Sequence, residues 1–417
     1  MLDKKTIKVI QSTVPVLEQY GEQITSRFYE LLFHDHPELY HIFNIVHQHK
    51  KEQQRALANA VYQAAAHIDQ LPSLLPALQR VFQKHRSLGV KAEHYPVVGK
   101  YLLIAIKDVL GDLASDEIMK AWEDAYGVLA SIFISQEENL YQQAQTQNGG
   151  WEGWREFVIK RKVPESKVVT SFYLYPTDGN SLASFKPGQY ISLKVPIEEL
   201  NVEQIRQYSL SDAPREDYYR ISVKREDAHG TYPAGYVSSY LHHQMQEGDK
   251  VMISAPAGDF YLNKSKDTPV VFISGGVGFT PLMSMLNTLI EENTKRSITT
   301  IHATMNSEYH AMREYVQKLT KNYPHVTSYT CYEKPTKADL EQRNFDKEGF
   351  LDLPWLSQIL SKQEAEIYFC GPIPFMRSIK QILKEMGIKQ ENIHYEFFGP
   401  ASQLDTVSNK TSEKQPS

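Results

Sequence analysis

From the N-terminus to about residue 145, apolar positions recur at three- and four-residue spacings with almost no β-type alternation, so an all-α domain is expected over 1–145. Pro37, Pro72, Pro76 and Pro96 mark expected helix starts or breaks. Between Glu117 and Tyr141, the positions Ile118, Trp122, Tyr126, Leu129, Phe133 and Leu140 define one long amphipathic helix, which gives way to the polar, glycine-ended linker QQAQTQNGG. After Trp151 the pattern changes. REFVIKRKV, VVTSFYLYP, QYISLKV, RQYSLS, YYRISVKRE and KVMISAPA are short runs of β-branched and aromatic residues, separated by turn signals such as TDGN and KPGQ. They predict an antiparallel β-barrel over 151–262. From about Thr268, PVVFIS, SITTIHAT and AEIYFCG alternate with helical segments, which predicts an α/β domain with a parallel sheet over 267–400. The polar end, 401–417, is expected to be disordered.

Some apolar faces carry polar groups. In VFQKHRSLGV, His85 shares a helix face with Phe82, Val81 and Leu78. A core histidine bonded to a backbone carbonyl and a metal or haem ligand are both open readings of that position. Tyr29 lies three and four residues from Leu32 and Phe33, and Gln53 heads a stripe with Leu57, Val61, Ala64 and Ile68. Glu137 falls on the stripe of Tyr126, Phe133 and Leu140, a costly place for an unpaired carboxylate. An imidazole, a phenol and a carboxylate that partner one another would account for such placements. Further along, SGGVGFTP joins a strand to a helix, where glycines let backbone N–H groups approach a pyrophosphate at a helix N-terminus; the spacing is not the G-x-G-x-x-G fingerprint. Alternation in RQYS places Arg206 and Tyr208 on one strand face and Gln207 and Ser209 on the other, a set suited to a flavin.

Composition narrows the classes. At 417 residues the chain suggests two or three domains, and 41% hydrophobic with 23% charged residues is a soluble balance. A net charge of -5 gives no case for nucleic acid or an anionic membrane as partner. Two cysteines, Cys331 and Cys370, cannot build a disulfide framework or a cysteine-based zinc or iron–sulfur site. No apolar run is long enough to span a bilayer, so a cytoplasmic location is expected.

In combination, PGQY (187–190), RQYS (206–209), GYVSSYLH (235–242), GGVGFTP (275–281), YFCGP (368–372) and HYEFFGP (394–400) resemble the ferredoxin–NADP reductase superfamily in order and spacing. FYELLF, PELYHIFN, the Gln53 helix, QKH, EHY and AYGVLASIF resemble a bacterial globin, and the chain almost to Pro400 closely resembles a flavohaemoglobin. The resemblance implies haem b, FAD and NADH or NADPH as cofactors. It implies flavin contacts at Tyr190, Arg206, Gln207, Tyr208 and Ser209, and a cofactor contact at Ser238. Nicotinamide dinucleotide contacts would lie at Gly276, Val277, Gly278, Phe279, Thr280, Pro281, Cys370, Gly371 and Pro372. Further cofactor contacts would lie at Glu396, Phe397, Phe398, Gly399 and Pro400.

For the haem, the resemblance makes His85 the iron ligand, its other ring nitrogen donating to Glu137, with Tyr95 bonded to the same carboxylate. Electron density pushed onto the iron in this way favours O–O activation over oxygen carriage. Phe43 would pack on the porphyrin, Lys84 and Glu396 would tune potentials, and Tyr29 and Gln53 would hydrogen-bond O2. The implied activity is a nitric oxide dioxygenase that turns NO and O2 into nitrate at the expense of NAD(P)H, in a monomer. A haem-based gas sensor or carrier, and a flavin reductase acting on other acceptors, are the alternatives. Phe279 departs from a common Gln, Phe398 from a common Cys, and DAHGTYPAG lengthens the loop before Gly235. The histidines at 34, 36, 41, 47 and 49 are expected to face solvent.

Overall fold

A computed structural model of the chain describes residues 2–41, 52–197, 202–228, 230, 233–360, 364–396 and 398. Phe43, Phe397, Gly399, Pro400, His47 and His49 therefore lie outside the described residues, as do parts of the 227–235 insertion. Residues Met1–Gln147 form the body of one compact unit, and Asn148–Leu193 with Gln207–Phe398 form another.

The first part is helical: α1 (Lys4–Ser12), α2 (Val14–Asp35), α3 (Glu52–Ala66), α4 (Leu71–Leu88), α5 (His94–Leu110) and α6 (Asp116–Thr146). Local chemistry sets several ends. The Asp3 carboxylate caps α1 by accepting from Thr6 N–H at 2.8 Å, and Ser115 opens α6 with Asp116 and Glu117 in the first turn. Gly89, at φ +80°, closes α4, and the N–H of Val90 returns to the carbonyl of His85 at 3.0 Å. The prolines behave unequally. Pro72 and Pro96 sit in first turns, where an N–H has no intrahelical partner to lose. Pro76 does not break its helix: α4 runs through it, forgoing the bond to the carbonyl four residues back. The linker is shorter than QQAQTQNGG suggests, because its Gln and Ala residues are good helix formers and α6 continues to Thr146. Ile10, Ile24, Phe28, Leu32, Ala105, Trp122 and Ala125 centre the core of this domain.

The second part begins with a sheet curled into a barrel. Its strands are β1 (Trp154–Pro164), β2 (Val169–Pro176), β3 (Tyr190–Ile197), β4 (Val202–Ser209), β5 (Tyr219–Lys224) and β6 (Lys250–Ser254), in the order β4-β3-β6-β1-β2-β5. β1 pairs antiparallel with both β2 and β6, and the bridge Leu210–Ile221 brings the edges β4 and β5 together. A short helix, α7 (Tyr236–His243), lies between β5 and β6 in the chain.

An α/β domain follows, built from β7 (Val270–Gly275), α8 (Phe279–Glu291), β8 (Ile298–Thr304), α9 (Arg313–Asn322), β9 (Val326–Tyr332), α10 (Lys337–Gln342), β10 (Lys347–Glu348), α11 (Leu353–Ile359), β11 (Glu366–Cys370), α12 (Ile373–Glu385) and β12 (Ile393–Glu396). The sheet is parallel with order β10-β9-β8-β7-β11-β12. The order reverses on either side of β7, so the turn after β7 sits at a topological switch point, where open α/β sheets bind ligands. Helix α8 is buried on every face from Phe279 to Ile290, because it packs against the sheet and also against barrel residues Val168, Val169, Phe260 and Leu262. Among the described residues no helix is long and apolar enough to cross a membrane.

Candidate cofactor sites

In the helical domain, three chain-distant groups converge. The last turn of α4 carries His85, the first turn of α5 carries Tyr95, and the apolar stripe of α6 carries Glu137, which is only 2% exposed. One carboxylate oxygen of Glu137 receives the Tyr95 hydroxyl at 2.7 Å and faces His85 Nδ1 at 2.8 Å. The Tyr95 hydroxyl is also 3.3 Å from Nδ1. Burial first, then the adjacent carboxylate, hold the Tyr95 hydroxyl far above its ordinary pKa, so it stays a donor. With a carboxylate oxygen as acceptor, Nδ1 is the donor in this contact, which leaves Nε2 as the nitrogen for another ligand. Nε2 has no hydrogen-bond partner among the described residues.

Packing holds this arrangement in place. Phe133 lies against the His85, Tyr95 and Phe82 rings at 6.0, 6.2 and 4.9 Å between centroids. The Tyr126 hydroxyl donates to the Tyr95 carbonyl at 2.6 Å. Gly99 makes room for that ring, since a Cβ there would fall 2.3 Å from it. Among the described residues no group of three or more His, Cys, Asp or Glu side chains could hold an ion. A single imidazole with one nitrogen anchored suits an iron whose other ligands would come from a porphyrin, and a protein-built metal site is not what these described residues form.

Tyr29 is buried beside Phe28 and Phe33, and burial raises its hydroxyl pKa, which keeps the proton on the ring oxygen. Gln53 is half-buried near the start of α3, and Thr25 Oγ1 on α2 donates to the neighbouring Gln54 carbonyl at 2.9 Å. Lys84 is exposed. His34 is exposed as expected, whereas His36 is half-buried: its ring meets Tyr101 edge-on at 5.5 Å and bonds Glu38 at 2.9 Å.

In the barrel, β4 presents Arg206, Gln207 and Tyr208 half-buried and Ser209 buried. Arg206 Nη1 donates to the Ile205 carbonyl at 2.7 Å, and Gln207 reaches across to Ser192 on β3 at 3.2 Å. Tyr190 opens β3 against Gly258, whose φ of +118° and ring contact both suit glycine. Ser238 is engaged at the start of α7: its hydroxyl donates to the Gly235 carbonyl at 3.1 Å and accepts from Glu226 N–H at 3.2 Å.

The turn after β7 forms a glycine-walled cradle. Gly276 is left-handed at φ +51° with open space where a Cβ would be, and Gly278 abuts the Cys370 carbonyl. Gly275 and Gly371 both lie flat on the Phe375 ring. This brings the α8 N-terminus, Phe279, Thr280 and Pro281, beside Cys370, Gly371 and Pro372, an arrangement that lets a pyrophosphate approach bare backbone. Phe279 is buried, edge-on to His302 at 6.1 Å. Cys370 is fully buried, Glu396 half-buried and Phe398 exposed.

Arg206→Ala is expected to weaken flavin retention by about 1.5–3 kcal/mol, the worth of a hydrogen bond to a charged group. Gel filtration at low FAD concentration checks it, with haem content unchanged as the control.

A buried polar set also escaped the sequence reading: Asp212, Ser284 and Asn287. Ser284 and Asn287 show in the sequence as polar positions inside the otherwise apolar MSMLNTLI, but nothing local ties them to Asp212.

Comparison with known proteins agrees with this architecture. A globin family matches residues 26–133, an oxidoreductase FAD-binding domain 156–261 and an oxidoreductase NAD-binding domain 272–381. The protein is thus a globin joined to a flavin- and nicotinamide-dependent oxidoreductase. The flavohemoprotein of Bacillus thuringiensis subsp. konkukian is 55% identical over 404 residues, spanning 97% of this chain and 100% of that protein. The flavohemoprotein of Bacillus subtilis is 51% identical over 404 residues, 97% of this chain and 99% of that one. A solved flavohemoglobin from Malassezia yamatoensis with bound FAD and heme has a TM-score of 0.83 at 28% identity, covering 95% of this chain and 100% of that one. The FAD/NAD-binding domain of a nitric oxide dioxygenase from Vibrio cholerae aligns with a TM-score of 0.54 at 37% identity, over 59% of this chain and 99% of that one. This chain belongs to the flavohemoprotein family, and its cofactors are haem, FAD and a nicotinamide dinucleotide.

Proposed function

We propose that the protein is an NAD(P)H-dependent nitric oxide dioxygenase, converting NO and O2 to nitrate and so removing NO. The observation that carries the reading is the His85–Glu137–Tyr95 cluster in a globin continuous with flavin and nicotinamide domains. The relative from Vibrio cholerae, named as a nitric oxide dioxygenase, supports it. When bound, the nicotinamide supplies a hydride, the flavin delivers it as single electrons and the haem supplies an iron that binds O2.

Glu137 anchors His85 through Nδ1, so Nε2 would be the nitrogen that holds the haem iron. Tyr95 holds Glu137 in place and keeps its charge satisfied in a buried setting. Both features strengthen imidazole donation, which suits activation of O2 more than reversible carriage. Tyr29 brings a protonated hydroxyl into an aromatic, dry environment, and Gln53 an amide, as donors to O2. In the other half, β4 would hold the flavin, and the Gly276–Gly278 turn with Cys370–Pro372 would hold the dinucleotide against bare backbone.

The test is Tyr29→Phe, which removes one hydroxyl at nearly constant shape. Hydrogen bonds to a charged acceptor are worth about 1.5–3 kcal/mol, and about 1.4 kcal/mol is tenfold. O2 dissociation from the reduced holoprotein should therefore quicken by roughly tenfold to a hundredfold, with NO consumption at limiting O2 falling and flavin reduction by NADH unchanged. Unaltered O2 release with normal NO turnover would reduce Tyr29 to a core aromatic.

A further inference from the structure

The barrel and the α/β domain are joined by a buried polar clasp centred on Asp212. This carboxylate is 5% exposed and fully used. Its Oδ1 accepts from Asn287 Nδ2 at 2.6 Å and from the Ala213 N–H at 2.9 Å, and its Oδ2 accepts from the Tyr218 hydroxyl at 2.8 Å. Two guanidinium groups face it, Arg215 at 3.6 Å and Arg220 at 3.7 Å. The Asp212 main-chain carbonyl accepts the Ser284 hydroxyl at 2.7 Å. Arg215 extends the clasp to Glu291 at the far end of α8 with a paired contact, one arm at 3.1 Å. Ser284 and Asn287 are themselves 0% and 2% exposed.

The positions of the two partners in the chain give the clasp its meaning. Asp212 lies three residues beyond Ser209, at the end of the strand that carries Tyr208 and Ser209. Thr280, Ser284 and Asn287, at spacings of four and seven, share one face of α8, and that helix starts directly from the Gly276–Gly278 turn. A buried, hydrogen-bonded carboxylate permits few arrangements, since any slip would strand polar groups without partners in an apolar surround. Apolar packing alone, between α8 and Val168, Val169, Phe260 and Leu262, would tolerate sliding more readily.

We propose that Asp212, Ser284 and Asn287 are positioning residues for hydride transfer: they fix the flavin-bearing strand against the dinucleotide-bearing turn at the separation the transfer requires. The proposal rests on the reading above that β4 holds the flavin and the turn after β7 holds the dinucleotide. A hydride moves over a short, aligned path, so a small displacement lowers the rate of transfer without lowering affinity for either cofactor.

The experiment is anaerobic stopped-flow reduction of the bound flavin in the full-length holoprotein, with NADH and separately NADPH, for the unaltered protein and for Ser284→Ala, Asp212→Asn and Tyr315→Phe. Tyr315 is the control, because its hydroxyl bonds Asn287 at 3.0 Å from α9 and so lies wholly within the α/β domain. Ser284→Ala and Asp212→Asn should lower the limiting rate of reduction by roughly tenfold to a hundredfold. Half-saturating nicotinamide and FAD content should stay unchanged, with a full isotope effect from nicotinamide deuterated at the transferred hydrogen, and Tyr315→Phe should leave the limiting rate as it was. Limiting rates within about twofold of the unaltered protein, with only the melting temperature reduced, overturn the proposal, as does an equal loss in Tyr315→Phe. Should Asp212→Asn fail to fold, Ser284→Ala decides alone, since it deletes a single hydroxyl. If the unaltered protein's flavin is reduced by neither nucleotide, it is the underlying reading that falls.

Discussion

His85→Ala is expected to give a protein that purifies with its flavin and without haem. The His85 ring is anchored through Nδ1 by the buried Glu137, and no cluster of alternative donors exists among the described residues. Removing it also leaves the 2%-exposed Glu137 carboxylate and the Tyr95 hydroxyl with one partner fewer, at a cost of about 1–3 kcal/mol. The globin should therefore soften as well as lose its haem. Two measurements separate these effects: the haem absorption band of the purified protein, and FAD released on denaturation. His85→Gln serves as a second variant, since its amide can still reach Glu137 while ligating iron poorly. Retention of a full haem complement in both variants would falsify the ligand assignment.

Much of the globin site was legible because its chemistry violates a pattern. Titratable residues on apolar faces, His85 on α4 and Glu137 on α6, stand out against a 3.6-residue period, and in the structure they meet at 2.8 Å. Tyr95 was less visible. It lies in the first turn of its helix, where a polar residue is unremarked, and only the resemblance to a globin family brought it to the site. The strands of the barrel and the sheet were readable from their β-branched runs, yet β9, VTSYTCY, passed unnoticed among polar residues because its neighbours on both sides, β8 and β10, decide its pairing. The helix through Pro76 and the extension of α6 to Thr146 show the same limit. Local signals mark where an element could end, and packing or propensity decides where it does. The Asp212 clasp was hidden for a different reason: its members lie about 72 and 75 positions apart in the chain, a separation no local period reports.

The second large effect is expected at Gly278. Its backbone, at φ -62°, would accept any residue, so conformational freedom is not why glycine stands there. The reason is contact. A Cβ at this position would lie 2.1 Å from the Cys370 carbonyl oxygen, 2.4 Å from its carbon and 2.6 Å from the Gly371 nitrogen, all backbone atoms that cannot rotate away. Gly278→Ala must therefore push the turn and the Cys370–Pro372 segment apart, and overpacking of this kind costs about 1–3 kcal/mol. If that strain is relieved in the empty protein and restored when the dinucleotide draws the two segments together, half-saturating NADH should rise by roughly fivefold to a hundredfold. Gly276→Ala is the informative comparison. Position 276 has φ +51° but open space for a Cβ, so alanine there meets only the left-handed backbone penalty of about 1 kcal/mol. Titrating flavin reduction against NADH in both variants, with FAD and haem content held as controls, should place Gly278→Ala well beyond Gly276→Ala. The reverse order would mean that the nucleotide itself fills the space at 276, and that the close approach of Gly278 to Cys370 serves the fold of the sheet and not the cradle.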